Sequence, residues 1–263
     1  MVELRMLLSL EKRAASSVAE SLRSEKLTEF LVINGDAGLN TFLESGGLDG
    51  IPVVGTLNGI WKAGEEITHE LFVCKILRFL EALDITTPEE RSRFTECLES
   101  KEKTERFGET ILLLIDKIDD TVKAKIIGRI MAALIKGHID YDKAMRLAYI
   151  INRCYAKDLE YLQSFHEGTQ GGMSDVADAL FSAGLLVNRG IDGGVGDDPE
   201  SGGTIYALNE YGKMLVEFGW HPNKTTLETF KKTDRAEDLT QFESIDDLLK
   251  HLEIHSRIVS TAR

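Results

Sequence analysis

The chain has 263 residues, is 43% hydrophobic and carries 44 acidic against 31 basic side chains, for a net charge of −13. That apolar content supplies a core and excludes a disordered polymer, while the charge disfavours generic binding to nucleic acid or anionic lipid. With 7% aromatic residues and 4 prolines in a background rich in Leu, Ile, Ala, Glu and Lys, helices are favoured over a β-sandwich.

The opening MVELRMLLSLEKRAASS has an early acid and charges that interrupt its apolar run, so it reads as lacking a secretion signal. No apolar stretch reaches the ~18 to 20 residues of a membrane span. A cytoplasmic protein is expected. Residues 2 to 32 place Leu4, Leu7, Leu8, Ala15, Val18, Ala19, Leu22, Leu27, Phe30 and Leu31 at helical spacing, which predicts one amphipathic helix. A Gly/Asp-rich stretch through Gly50 punctuates the chain and closes a first segment at about residue 48.

Ile51 to Trp61 is the most apolar run and leads into a helix predicted to about Leu83. On that helix Ile60, Ile67, Leu71, Cys74, Leu77 and Leu80 form one stripe, and Phe72, Ile76, Phe79 and Leu83 widen it. So wide a stripe predicts the central helix of a bundle. Thr87-Pro88-Glu89-Glu90 predicts a capped helix over about 88 to 99. Further helices are predicted over 103 to 118, 121 to 136 and 141 to 165, with Gly137 ending one and Asp140 capping the next. Cys74, Cys97 and Cys154 lie inside apolar helical patterns with no CxxC spacing and read as reduced, buried thiols.

Gly168 to Gly172 reads as a linker. Beyond it come a short helix Val176 to Phe181, capped by Ser174 and ended by Gly184, a strand at 185 to 187, a Gly/Asp-rich tip over 190 to 203, a returning strand at 204 to 208 and a helix over 210 to 218 that Asn209 caps. The tail ends in a helix predicted over about 244 to 258. The expected architecture is mostly α: a multi-helix bundle with a C-terminal winged-helix-like module built on one β-hairpin. Its segments are an N-terminal helical segment 1–48, a bundle 49–168, the module 173–221 and a tail 222–263.

The stretch "ALFSAGLLVNRG…TIYALNEYGKMLVEFG" resembles winged-helix domains of bacterial regulators, in which a "LxxxGLL" helix end precedes the wing. "GIPVVGTLNGIWKAG" and "GHIDYDKAMRLAYIINRCYAKDLEYL", with the layout of helical body and terminal module, resemble bacterial abortive-infection proteins of the Abi-alpha kind. The resemblance implies a role in bacterial (anti-phage) defence or regulation and brings no catalytic residues with it.

A winged helix implies DNA binding, but between Met173 and Gly219 the bases are Arg189 and Lys213, against eight acids. The tip residues Asp192, Asp197, Asp198 and Glu200 would meet phosphates with like charge. These carboxylates do not match a calcium loop, and a solvated tip is the expected role. His251 and His255 share a helix face, a two-ligand half of a zinc site lacking a third ligand, so no metal or cofactor is assigned. There is no phosphate loop and no nucleophile elbow.

The expected function is therefore that of a non-enzymatic interaction or regulatory protein, working with a protein partner or as a homo-oligomer. Ile51, Val54, Trp61, Asp192, Asp197 and Asp198 are the candidate interaction residues. Two alternatives stand beside it. One is a membrane-active effector using residues 51–61, for which burial in the bundle is the competing reading. The other is a DNA-binding regulator.

Overall fold

The computed structural model describes residues 2–32, 47–60, 66–98, 100–165, 174–192 and 203–220. The chain separates into a unit spanning Met1–His221, which holds all of these, and a second spanning Pro222–Arg263. The helix expected over 244 to 258 and the linker over 168 to 172 lie outside the described residues.

Among the described residues eleven α-helices and one two-stranded antiparallel sheet are present. The first is α1 (Val2–Arg23), followed by α2 (Glu25–Val32). The single helix expected over 2 to 32 is broken at Ser24, whose hydroxyl accepts the N–H of Leu27 at 3.1 Å and so caps α2. After a 3₁₀ turn (Gly47–Gly50) comes α3 (Pro52–Ile60), then α4 (Glu66–Glu81), α5 (Pro88–Cys97), α6 (Lys101–Asp116) and α7 (Thr121–Ile135). Thr87 begins α5 with a full capping box: the Glu90 N–H donates to its hydroxyl at 3.2 Å, and its own N–H donates to Glu90 Oε2 at 2.9 Å.

The central helix is α7. Eleven of its fifteen residues are buried, on every side, because it packs against α4, α5, α8 and the C-terminal turn at once. The expectation that the helix running to Leu83 holds that place is corrected: Leu71 is 57% exposed and Cys74 is exposed, so that edge of the anticipated stripe faces outward. The buried face of α4 is Phe72, Val73, Ile76, Leu77, Phe79 and Leu80. Cys97 is exposed as well, so only Cys154 is the buried thiol expected of all three.

Gly137, at φ +75°, ends α7 in the left-handed region that a side chain would resist. Asp140 then caps α8 (Tyr141–Arg153), accepting the Lys143 N–H at 2.8 Å. The helix expected over 141 to 165 stops at Arg153 because Cys154 and Tyr155 are extended; α9 (Ala156–Glu160) and a 3₁₀ turn (Tyr161–Phe165) follow. Next come α10 (Ser174–Ala183), β1 (Leu186–Asp192), β2 (Gly203–Leu208) and α11 (Glu210–Met214), the last unwinding into a π turn (Leu215–Gly219). Asn209 caps α11 through the Gly212 N–H at 2.9 Å.

β1 pairs with β2 from Leu186 opposite Leu208 to Asp192 opposite Gly203, with a bulge that leaves Arg189 unpaired. The strand thus runs five residues past the predicted 187. Beyond Leu186 the described side chains of β1 are exposed, so no alternation in the sequence marks the strand's length.

One core runs through the unit. α1 lies on α3, α5 and α6, α4 lies on α7, and Leu180, Leu185, Leu186, Tyr206, Leu208 and Leu215 join the same cluster as the bundle. The segments expected as 1–48 and 49–168 therefore share a core. Two buried cations close helix ends within it. Arg91, 1% exposed, donates from Nε to the Leu22 carbonyl at 3.0 Å, from Nη1 to the Thr86 carbonyl at 2.9 Å, and from Nη2 to the Thr28 hydroxyl at 2.8 Å. Lys123, also 1% exposed, reaches the Asn152 carbonyl at 3.3 Å and Asp119 at 2.6 Å. Each cation meets the negative end of a helix, α1 or α8, where free carbonyls concentrate.

Candidate interaction surface

α10 and the hairpin form a ledge, and α11 with its π turn, which follow β2, tie it to the bundle. Arg129 Nη1 on α7 donates to the Gly219 carbonyl of the π turn at 3.2 Å, Lys143 Nζ on α8 pairs with Glu210 at 2.6 Å, and the His138 and Phe218 rings lie 5.7 Å apart. Burial lowers the Arg129 guanidinium from its ordinary range, and Asp84 and Glu81 oppose that shift. The ledge is thus held in place by contacts at its base, leaving its outer face unengaged by the bundle.

Along that face α10 presents Asp175, Asp178 and Phe181 at three-residue spacing, hence on one side of the helix. The Tyr206 hydroxyl donates to Asp178 Oδ1 at 2.6 Å, and the rings of Phe181 and Tyr206 pack tilted with their centroids 5.2 Å apart. This fixes which face of the hairpin meets the helix. Thr204, two residues from Tyr206 on β2, shares that face, and Ile191 stands opposite Thr204. Ile191 is 81% exposed and Phe181, on the side of α10 that carries Asp175 and Asp178, is 42% exposed. The Asp178 carboxylate raises the Tyr206 hydroxyl from its usual range. Burial, and then the neighbouring Asp175, raises the Asp158 carboxyl on α9. The described residues of the module, 174–192 and 203–220, carry five acids against Arg189 and Lys213. Such a surface is net acidic and combines exposed apolar area with anionic hydrogen-bond acceptors.

Ile51 and Val54 are fully buried, packed in the core with Val53 and Leu57, so one face of the described part of the run 51–61 lies against the core, while Gly59 on its other face is exposed. The Val53 N–H donates to the Ser21 hydroxyl of α1 at 2.9 Å, tying this helix to its neighbour. Asp192 ends β1; its side chain, together with Trp61, Asp197, Asp198, His251 and His255, lies outside the described residues. Among the described residues no three His, Cys, Asp or Glu side chains are grouped to hold a metal ion, and no helix is long and apolar enough to cross a membrane. Sequence reasoning singled out the tip acids and missed Phe181 and Ile191. The signal was present: an aromatic at the end of a short amphipathic helix, and an isoleucine in a strand with no apolar partner across from it.

Comparison of the chain with family models, with curated proteins and with solved structures finds no match in any of the three.

Proposed function

We propose that the chain is a non-enzymatic interaction protein. Its α10–hairpin ledge is a winged-helix-like unit that grips polypeptide instead of DNA, in a bacterial regulatory or defence setting of the kind the sequence resemblance implies. The observation that carries this reading is the composition of α10. In a DNA-reading winged helix the helix before the hairpin enters the major groove and meets phosphates on both sides. Here that helix bears Asp175 and Asp178 and no base, and the side chain that protrudes beside them is Phe181. Apolar side chains rimmed by charge are the ordinary make-up of a protein-contacting patch.

The test is a gel-shift titration on duplex DNA at low salt, where electrostatic attraction is strongest, paired with co-purification alongside the products of adjacent genes. No retardation is expected, and a co-purifying protein should be lost when Phe181→Asp and Ile191→Asp are introduced together. Retardation of DNA by the intact chain would replace the reading with that of a DNA-binding regulator.

A further inference from the structure

A second exposed face lies on α6 and α8. Tyr141, at the start of α8, has its ring 6.5 Å from that of Phe107 on α6 and interacts with the side chains of Thr110, Arg106 and Tyr149. Further along α8, Arg146, Tyr149 and Arg153 follow at three- and four-residue spacing and are all exposed, and Leu113 protrudes from the side of α6 that carries Arg106 and Thr110. Among the described residues Arg106, Arg146 and Arg153 have no ion-pair partner; the exposed acids at helical spacing with them are Glu102, Glu109 and Asp116 on α6 and Asp142 on α8, and Lys103 and Lys117 are exposed on the same side of α6. On a chain with 13 more acids than bases, a face with five bases against four acids, its arginines interleaved with tyrosines, is a local departure from the overall sign. Arginine and tyrosine are also the side chains that concentrate binding energy in protein interfaces.

This face complements the ledge of α10 and the hairpin in charge, arginines against Asp175 and Asp178, and in apolar content, Tyr149 and Leu113 against Phe181 and Ile191. Both faces are exposed, so they do not meet within one chain. We propose that a second copy of the chain is the occupant, the acidic ledge of one copy docking on the arginine–tyrosine face of the next. The inference rests on the ledge being a polypeptide-contacting surface and names the polypeptide. The contact joins two different patches and is therefore heterologous, so it builds rings or open chains of copies in place of a symmetric pair. The net charge of −13 opposes association, and salt screening at physiological strength confines that repulsion to within about 8 Å. Charged side chains placed opposite one another then decide the register. A nucleic-acid occupant of the arginine face is disfavoured because tight binding of that kind needs neutralisation of many phosphates, on the order of six to ten.

Sedimentation velocity on the full chain, from low to high micromolar concentration, tests the proposal. The native chain should assemble progressively beyond a dimer. Arg146→Glu with Arg153→Glu removes one face, and Asp175→Lys with Ile191→Lys removes the other; each pair should weaken self-association by roughly tenfold or more. All four positions are exposed, so unchanged circular dichroism and melting should accompany the loss. Mixed one to one, the two variants should form a single heterodimer and nothing larger, because each retains one intact and complementary face. A native chain that stays monomeric overturns the proposal, as do variants that still self-associate, or a mixture that does not pair. A monomeric native chain that still co-purifies with another protein through Phe181 and Ile191 overturns self-docking alone and leaves the ledge as a protein-binding surface.

Discussion

Two buried cations and one buried thiol carry most of what can be tested at the scale of single residues. Arg91 satisfies carbonyls at the end of α1 and in the turn before α5 with one planar guanidinium, and burial lowers it from its ordinary range. Arg91→Met removes the donors and leaves those buried carbonyls unpaired, which should cost about 2–4 kcal/mol in denaturant unfolding. Lys in the same place keeps the charge without the fork and should recover only part of it. Burial pushes the Cys154 thiol up to about 11, whereas Cys74 and Cys97 are exposed. A thiol reagent near neutral pH should therefore label two cysteines quickly and the third only on unfolding; three fast thiols would show that the end of α8 is open. Asp119 supplies the pH dependence. Its hydrogen bond to Lys123 holds the carboxyl below the usual range, so the native state binds that proton less readily than the unfolded chain does. The stability it contributes is present above the ordinary carboxylate range and disappears as pH falls through the depressed native value. Melting curves recorded from neutral to acidic pH should show a steeper loss for the native chain than for Asp119→Asn.

Between elements the closest approaches are made at glycine. A Cβ at Gly108 would collide with the carbonyl oxygen of Ala15, and one at Gly128 with that of Phe79, so α1 crosses α6 and α4 crosses α7 almost backbone to backbone. An alanine in a helix interior is ordinarily favoured over glycine by about 1 kcal/mol. At these two positions the collision should reverse the sign, and Gly108→Ala and Gly128→Ala should each lose about 1–3 kcal/mol. Stabilisation in either variant would mean the helices separate more easily than their contact implies. These crossings were invisible in the sequence, where a helical glycine carries no sign of what lies across from it. The caps at Thr87, Asp140 and Asn209 and the helix end at Gly137 were legible because their chemistry is local. What α4 buries was less so: Leu71 and Cys74 extend its apolar periodicity by spacing alone, and only the position of α7 decides that they face outward. Nothing local in the sequence marks Arg91 and Lys123 as buried, since the carbonyls of Leu22 and Asn152 that they reach lie 69 and 29 residues away.

For the molecule as a whole, a mostly helical body with one small sheet was legible from composition and periodicity, and the acidic sign of the terminal module from counting charges. The apolar part of the ledge was not, because exposure of Phe181 and Ile191 depends on how α10 and the hairpin meet through Tyr206. That contact makes Phe181 the position from which to ask what the ledge touches. A photo-crosslinking residue, p-benzoylphenylalanine, placed at 181 and activated in cells of the native host reads the answer directly. Adducts that are polypeptide, resistant to nuclease and lost when Ile191→Asp is added are the predicted result. Nuclease-sensitive adducts, or none at any level of expression, would contradict the account.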